Sequence, residues 1–259
     1  MLKGLYVAST GMVNEQKRVD VMTNNLANSA TTGFKKEGTT AEAFHDVLAL
    51  KIKDTSEPNI ARRLGYMNLG VKIGENYTDY SQGPFHETGN TFDLALSGSG
   101  FFAVEFTNKA GETSVKYTRD GDFQLNVDGA LVNRNGDYLL NTAGNHIVLD
   151  PLQTYSVDRM GNVRQVEGGA VLATIQTVDF ENYDYLIKYG ETYFEPVEGF
   201  EFAPSDCQVY SGYLEASNVQ TVREMVDLIA FTRAYESNQK IIQAYDSTLD
   251  TAVNNLGRV

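Results

Sequence analysis

The sequence of 259 residues has no tryptophan, one cysteine, three histidines and five prolines. The single thiol, Cys207, cannot close an internal disulfide, and no metal-ligating neighbours flank it. His45, His86 and His146 stand about forty and sixty residues apart, without HxxxH or HExxH spacing, so no metal is expected. Long apolar runs are also missing, and no membrane-spanning helix is predicted. Basic residues are scarce: 21 Lys and Arg stand against 34 Asp and Glu, for a net charge of −13. Residues 1–36 carry +3, 37–210 carry −14 and 211–259 carry −2. Nowhere does this leave a basic stripe, so nucleic acid is not an expected partner. The N-terminus lacks the apolar core and cleavage site of a secretory signal, because Ser9 and Thr10 interrupt it. On physics alone this reads as cytoplasmic, although unconventional export leaves the same appearance.

Catalytic and cofactor signatures are equally sparse. Gly98-Ser99-Gly100-Phe101-Phe102-Ala103 matches the dinucleotide pattern GxGxxA by letter. That pattern needs a helix to open at the glycines, whereas FFAVEF reads as a strand; the glycines are better read as a bend between two strands. Asp120 with Asp122, and Glu191 with Glu195, are close carboxylate pairs, but acid–base work needs two carboxyls in different environments across a cleft. No GxSxG elbow occurs. No catalytic residue and no cofactor are expected.

What is present is helix at both ends and strand between. Hydrophobic residues make up 42% of the chain, the composition of an ordinary globular protein of one or two domains. Leu5, Met12, Val19 and Leu26 recur every seven residues, with Ala8 and Met22 three residues on and Glu15 interrupting that second row. This is a coiled-coil-type seam, and it predicts a helix over about 3–28. Asn24, Asn25, Asn28, Thr31, Thr32 and Gly33 supply the stop and turn. At the other end Leu228, Tyr235, Ile242, Leu249 and Leu256 are spaced by seven, and Phe231, Tyr245, Ala252 and Val259 fill the row three residues later, with Asn238 the polar exception. A second stripe, Val219, Val222, Val226 and Ile229, overlaps the start. One helix is predicted over about 218–256, ended by Gly257; at ~1.5 Å per residue it spans roughly 55 Å. A seam of that length needs a partner, within the chain or between chains.

In the middle, Asp120-Gly121, Asp128-Gly129 and Asn135-Gly136 separate short β-prone runs and predict tight hairpin turns. Gly161-Asn162 reads as another, VLATIQTVDF (171–180) as one longer strand, and residues about 45–75, with Pro58, as linker or loop.

Five blocks carry a family resemblance. TNNLANSATTGFKKE (23–37) resembles the N-terminal signature of bacterial flagellar axial proteins, the rod and hook family, and GYLEASNVQTVREMVDLIAFTRAYESNQKII (212–242) its C-terminal signature. TGNTFDLALSGSGFFAV (88–104), YTRDGDFQLNVDGALVNRNGDYLL (117–140) and VDFENYDYLIKYGETYFEP (178–196) are similar to its β-domain blocks, in the same order. Length and the YTRDGDF block are more like the rod proteins than the longer hook protein. The element EASNV with EMV fits the distal-rod type best and its proximal relative as well.

The resemblance implies an α+β architecture of N- and C-terminal coiled-coil-type helices flanking a β-rich antiparallel domain. Residues 1–33 would be the N-terminal axial helix, 34–80 a linker and extended loop, 81–210 a β-rich outer domain and 211–259 the long C-terminal axial helix. It implies a non-enzymatic, self-assembling subunit of the basal-body rod, located in the flagellum, and needed for flagellar motility. It further implies type III export without a cleaved signal, and partnership with itself, with other rod and hook subunits and with the export apparatus. The expected assembly interface is Leu5, Met12, Val19, Asn25, Leu26, Asn28, Gly33 and Phe34 at one end. At the other it is Leu214, Ser217, Asn218, Val219, Met225, Leu228, Tyr235, Ile242 and Leu249. The alternatives are a hook-type or other axial protein, a soluble β-rich hydrolase using Asp120, Asp122 or Glu191, and an adhesive fibre subunit.

Overall fold

A computed structural model describes residues 2–51, 62–109, 111–197, 199–203 and 205–256. Two compact units emerge. The first takes residues 1–26, 37–79 and 220–259, and the second residues 27–36 and 80–219.

The first unit holds both long helices, α1 (Leu2–Ala27) and α2 (Thr221–Leu256). These bounds agree with the helices predicted from the apolar periodicity. Gly257 and Val259 lie outside the described residues. Four strands follow α1: β1 (Glu37–Ala43), β2 (Val47–Lys51), β3 (Arg62–Met67) and β4 (Val71–Thr78). β1 pairs antiparallel with β4, with a register shift between Thr39 and Ala41, and β2 pairs antiparallel with β3. Residues 34–80, read from sequence as linker and extended loop, therefore contain two strand pairs. Their apolar residues alternate too weakly for periodicity to reveal them: most of β1 and β4 is exposed or half-buried. Pro58 and the rest of 52–61 lie outside the described residues.

The second unit is the β-rich domain. Its strands are β5 (Phe85–Glu87), β6 (Leu94–Ser97), β7 (Phe101–Thr107), β8 (Thr113–Thr118), β9 (Phe123–Leu125), β10 (Leu131–Asn133), β11 (Tyr138–Leu139), β12 (Tyr155–Val157), β13 (Asn162–Gln165), β14 (Val171–Thr174), β15 (Thr177–Phe180), β16 (Leu186–Tyr189), β17 (Tyr193–Pro196), β18 (Phe202–Ala203), β19 (Gln208–Ser211) and β20 (Tyr213–Glu215). Among the described residues the largest sheet runs β16-β17-β8-β7-β11-β10-β9, with β15 joined to β7 and to β18. β12-β13-β14 form a second sheet, while β19 pairs with β6 and β20 with β5. Among the described residues the strand pairings are antiparallel.

β7 organises the core. Successive side chains of a strand point to opposite faces. Phe102 and Val104 enter one buried cluster with Leu94, Leu96, Leu131, Leu139 and Ile147. Phe101 and Ala103 enter another with Tyr117, Phe180 and Phe194. Both faces of the strand are covered, which is why FFAV is apolar without alternation. The bend predicted at Gly98-Ser99-Gly100 joins β6 to β7, with φ of 101° at Gly98 and 138° at Gly100.

Three of the four predicted tight turns hold the expected place, at Gly129, Gly136 and Gly161. The Gly136 turn closes three residues, since Asn133 N donates to Asp137 O at 2.9 Å, and is not the two-residue turn that Asn-Gly favours. Asp120-Gly121 is no hairpin at all. β8 pairs with β7 and β17, β9 pairs with β10, and Gly121 instead lies against β6, where Leu94 N donates to Gly121 O at 2.9 Å. The run 171–180 is likewise two strands rather than one, because Ile175 and Gln176 carry the chain from β14 to β15 in a different sheet.

A Cβ at Gly121 would run into the Leu94 carbonyl oxygen and stand 2.7 Å from its carbon. Neither backbone can yield without breaking the bond between them. Gly121→Ala should therefore lower the unfolding free energy by roughly 1–3 kcal/mol, read as a lower urea midpoint in tyrosine fluorescence.

Candidate functional site

The α2 seam predicted from sequence is visible in its burial. Leu228, Phe231, Tyr235, Asn238, Ile242, Tyr245, Leu249 and Ala252 are half-buried, and nearly all their neighbours on the helix are exposed. The partner is α1 of the same chain. The Arg18 guanidinium lies 4.0 Å from the centre of the Phe231 ring. A Cβ on Gly11 would stand 3.1 Å from Asn238 Nδ2, and one on Gly4 would meet the Tyr245 hydroxyl. Residues 4, 11 and 18 thus answer 245, 238 and 231, so the helices run antiparallel with heptads in step. Glycine at two of the three facing positions leaves room for Asn238 and Tyr245. Leu5, Met12, Val19 and Leu26 are half-buried on α1. These seam residues of the expected interface are therefore partly covered within one chain.

Of the second stripe, Val219 is buried just before α2 begins, while the rest is uncovered and is joined by Met225. Val222, Met225, Val226 and Ile229 are 75%, 49%, 61% and 52% exposed, at the i, i+3, i+4, i+7 spacing of one helical face. On α1, Tyr6, Val7 and Val13 are exposed as well. An apolar groove of about 530 Å³ lies beside them, lined by Tyr6, Thr10, Phe44, Val47 and Leu69, with Lys3 and His45 at its rim. Contiguous apolar surface of this kind marks an interaction site.

The remaining expected interface residues are engaged inside the chain. In the first unit Asn25 is fully buried and brackets Glu37: Nδ2 donates to Glu37 O at 2.8 Å and Oδ1 accepts from Glu37 N at 3.0 Å. In the second unit Asn218 Oδ1 accepts from Lys36 N at 2.8 Å, and its Nδ2 donates to Ser81 O at 3.2 Å. Asn28 is buried and its carbonyl closes a turn with Thr31 N. Ser217 Oγ accepts from Val219 N, and both residues are buried. Phe34 is buried beneath the Lys188 ammonium, 3.8 Å from the ring centre. Gly33 has φ 66°, its N donates to Glu215 O, and a Cβ there would strike the backbone of Arg119 and Asp120. Leu214 is half-buried on β20. Asn25, Asn28, Gly33, Phe34, Ser217 and Val219 are thus buried braces of the fold, and the half-buried Asn218 is bonded within its own chain.

Periodicity missed the centre of this bracing. Glu215, with its side chain fully buried, accepts from Lys35 Nζ at 2.6 Å and Gly83 N at 2.9 Å on Oε1, and from Arg119 Nη1 at 3.2 Å on Oε2. Lys35 Nζ also donates to Ser81 O, and Arg119 Nη2 to Gly98 O. The three side chains come from far apart in sequence, so no local pattern announces them. The only hint is that each falls within a block that resembles the axial family.

Of the carboxylates available to a hydrolase, Asp120 and Glu191 border a cleft of about 670 Å³ with Arg134 and Asn135, and Asp122 is paired with Arg134 at its edge. Thr32 Oγ1 donates to Asp120 Oδ1 at 2.6 Å. Burial pushes the Asp120 carboxyl up, against the lowering effect of the bonds from Thr32 and Asp122 N. Of the histidines, His146 stacks on Tyr138 and bonds Glu105 at 3.0 Å. Among the described residues no cluster of three metal-ligating side chains occurs, and no helix is long and apolar enough to cross a membrane.

Comparison with known proteins matches three family descriptions along the chain. Residues 5–35 match "Flagella basal body rod protein", 95–176 match "Flagellar hook protein FlgE/F/G D1 domain", and 210–256 match "Flagellar basal body rod FlgEFG protein C-terminal". The chain is 34% identical to the flagellar basal-body rod protein FlgG of Agrobacterium fabrum, covering 98% of this chain and all of the relative. It is also 34% identical to the rod protein FlgF of Caulobacter vibrioides, with both chains fully covered. The flagellar hook-basal body complex protein FlhO of Bacillus subtilis is 30% identical, again over both full lengths.

Two outcomes test this geometry. Glu215→Gln keeps the shape but leaves two buried cations without a counter-charge; it should cost roughly 3–5 kcal/mol, seen as a lowered denaturant midpoint of the β-rich domain. Asp120→Asn keeps the acceptor for Thr32 and removes a charge that burial opposes. A carboxyl whose folded pKa is raised contributes stability at low pH that is lost as pH rises. The variant should therefore be more stable than the parent at pH 7, and the gain should vanish below about pH 4 in melts across pH.

Proposed function

The chain belongs to the flagellar basal-body rod family, and from that membership we propose how its surfaces build the polymer. It is a structural subunit of the rod, in the flagellar basal body. The family is structural, and we read this chain as non-enzymatic: Asp120 in its cleft is held by Thr32, and Asp122 by Arg134. The terminal helices are the axial core. Their shared seam closes within the subunit, while Val222, Met225, Val226 and Ile229 and the apolar face of α1 are left for neighbouring rod and hook subunits. That exposed stripe is the observation on which the reading rests, since a helix pair already closed on itself has no need of a second apolar face. Export by the type III apparatus, with assembly afterwards, completes the reading. The test is electron microscopy of basal bodies from a strain deleted for the gene, beside its parent. Rods that stop short, without hook or filament, are expected; intact rods, hooks and filaments would overturn it.

A further inference from the structure

Resting on that reading, we infer that the α2 stripe of one subunit seats in the apolar groove at the α1 N-terminus of a second copy, as a staggered head-to-tail contact. The stripe offers Val222, Met225, Val226 and Ile229, the spacing by which a helix fills a hydrophobic groove. It ends after two turns, where Arg233 and Glu236 follow on the same face. The groove is of matching character, walled by Tyr6, Phe44, Val47 and Leu69. Charge is complementary at the edges: Lys3 lines the groove, and the exposed Glu236 stands on the face of the stripe beyond Ile229 and Arg233.

Geometry excludes the same chain as occupant. The antiparallel register places the stripe opposite α1 residues about 20–27, whereas the groove lies at about 3–10. The separation is some 17 residues, or about 25 Å along the helix axis. Stripe and groove are also different surfaces, so the contact is heterologous: each subunit offers a stripe to one neighbour and a groove to the next. Repetition does not close into a dimer and produces a polymer in which this contact advances by about 25 Å along the helix pair. The groove therefore recognises a second copy, through a two-turn apolar helix face bordered by an acid.

Thiol cross-linking in assembled rods tests this. In a full-length Cys207→Ser background, Val47→Cys and Val226→Cys are introduced singly and together, and basal bodies from the cells are oxidised. The double variant should give a ladder of dimers, trimers and higher species, because its two sulfurs, about 25 Å apart in one chain, cannot meet and must bridge copies; each single variant should give only monomer, because a heterologous contact does not bring like positions together. Dimers from Val226→Cys alone would mean stripe against stripe and would overturn the inference. Monomer alone from the double variant in rods that do assemble would also overturn it, while leaving the rod function intact. A charge swap covers variants that disturb assembly: Lys3→Glu should reduce swimming and Glu236→Lys in the same chain should restore it. Failure of that rescue while each single variant is impaired would count against the contact.

Discussion

The structure depends on a carboxylate that cannot be left alone. Glu215 is fully buried, and a buried charge is tolerated only when it is paired and hydrogen-bonded. Its two oxygens are met by Lys35 and Arg119, with Gly83 N as a third donor. Such a cluster adds little net stability over apolar packing, but it adds specificity: the cost of leaving any partner out is large. Lys35 follows α1 in the chain, Glu215 precedes α2, and Arg119 ends β8. The cluster therefore permits one arrangement of three segments that are remote in sequence. Backbone contacts agree with it, since Gly33 N donates to Glu215 O and Lys36 N to Asn218. The chain between its two long helices is in this way fastened where it leaves one and enters the other.

The helices answer to a different constraint. A long helix with one narrow apolar stripe is marginal in water until that stripe is covered. Here the cover is intramolecular. Heptads in step, glycines at positions 4 and 11, and Arg18 over Phe231 let α1 lie along α2. Asn238 faces Gly11, where a polar amide in an apolar seam favours one register over its neighbours.

These two constraints explain what could be read from the residues alone. The helices and their seam were legible because a period of seven persists over many turns, and the bounds differ from expectation by a few residues. Turns at Gly129, Gly136 and Gly161 were legible because a left-handed residue between β-prone runs is a local signal. Asp120-Gly121 carried the same letters for another reason: the glycine is there so that Leu94 can approach. The split of 171–180 was hidden because β14 and β15 are both β-prone and differ only in the sheet they join. Strands β1 and β4 are hidden because their residues are mostly exposed or half-buried and alternate weakly. Among the expected interface residues, Asn25 and Asn218 stand out as part of recognisable blocks, yet a sequence does not tell a residue that binds a neighbour from one that binds its own backbone. The Lys35–Glu215–Arg119 cluster was out of reach, since its members interact only through the fold.

The distinction between satisfied and unsatisfied surface then separates folding from assembly. If the seam were the polymer contact, an isolated subunit would expose Leu228, Tyr235, Ile242 and Leu249; they are instead half-buried against α1. What a subunit exposes is the adjacent stripe, whose residues face away from that seam. A subunit that closes its own seam can hold its helices before it meets a neighbour, and the contact left over is small enough to be made one subunit at a time. On the proposed contact, stiffness of the assembled shaft has two sources of different origin: packing inside each helix pair, fixed on folding, and apolar contact between copies, fixed only on addition. A change in the seam loosens every subunit, whereas a change in the stripe leaves each subunit whole and stops the next from joining.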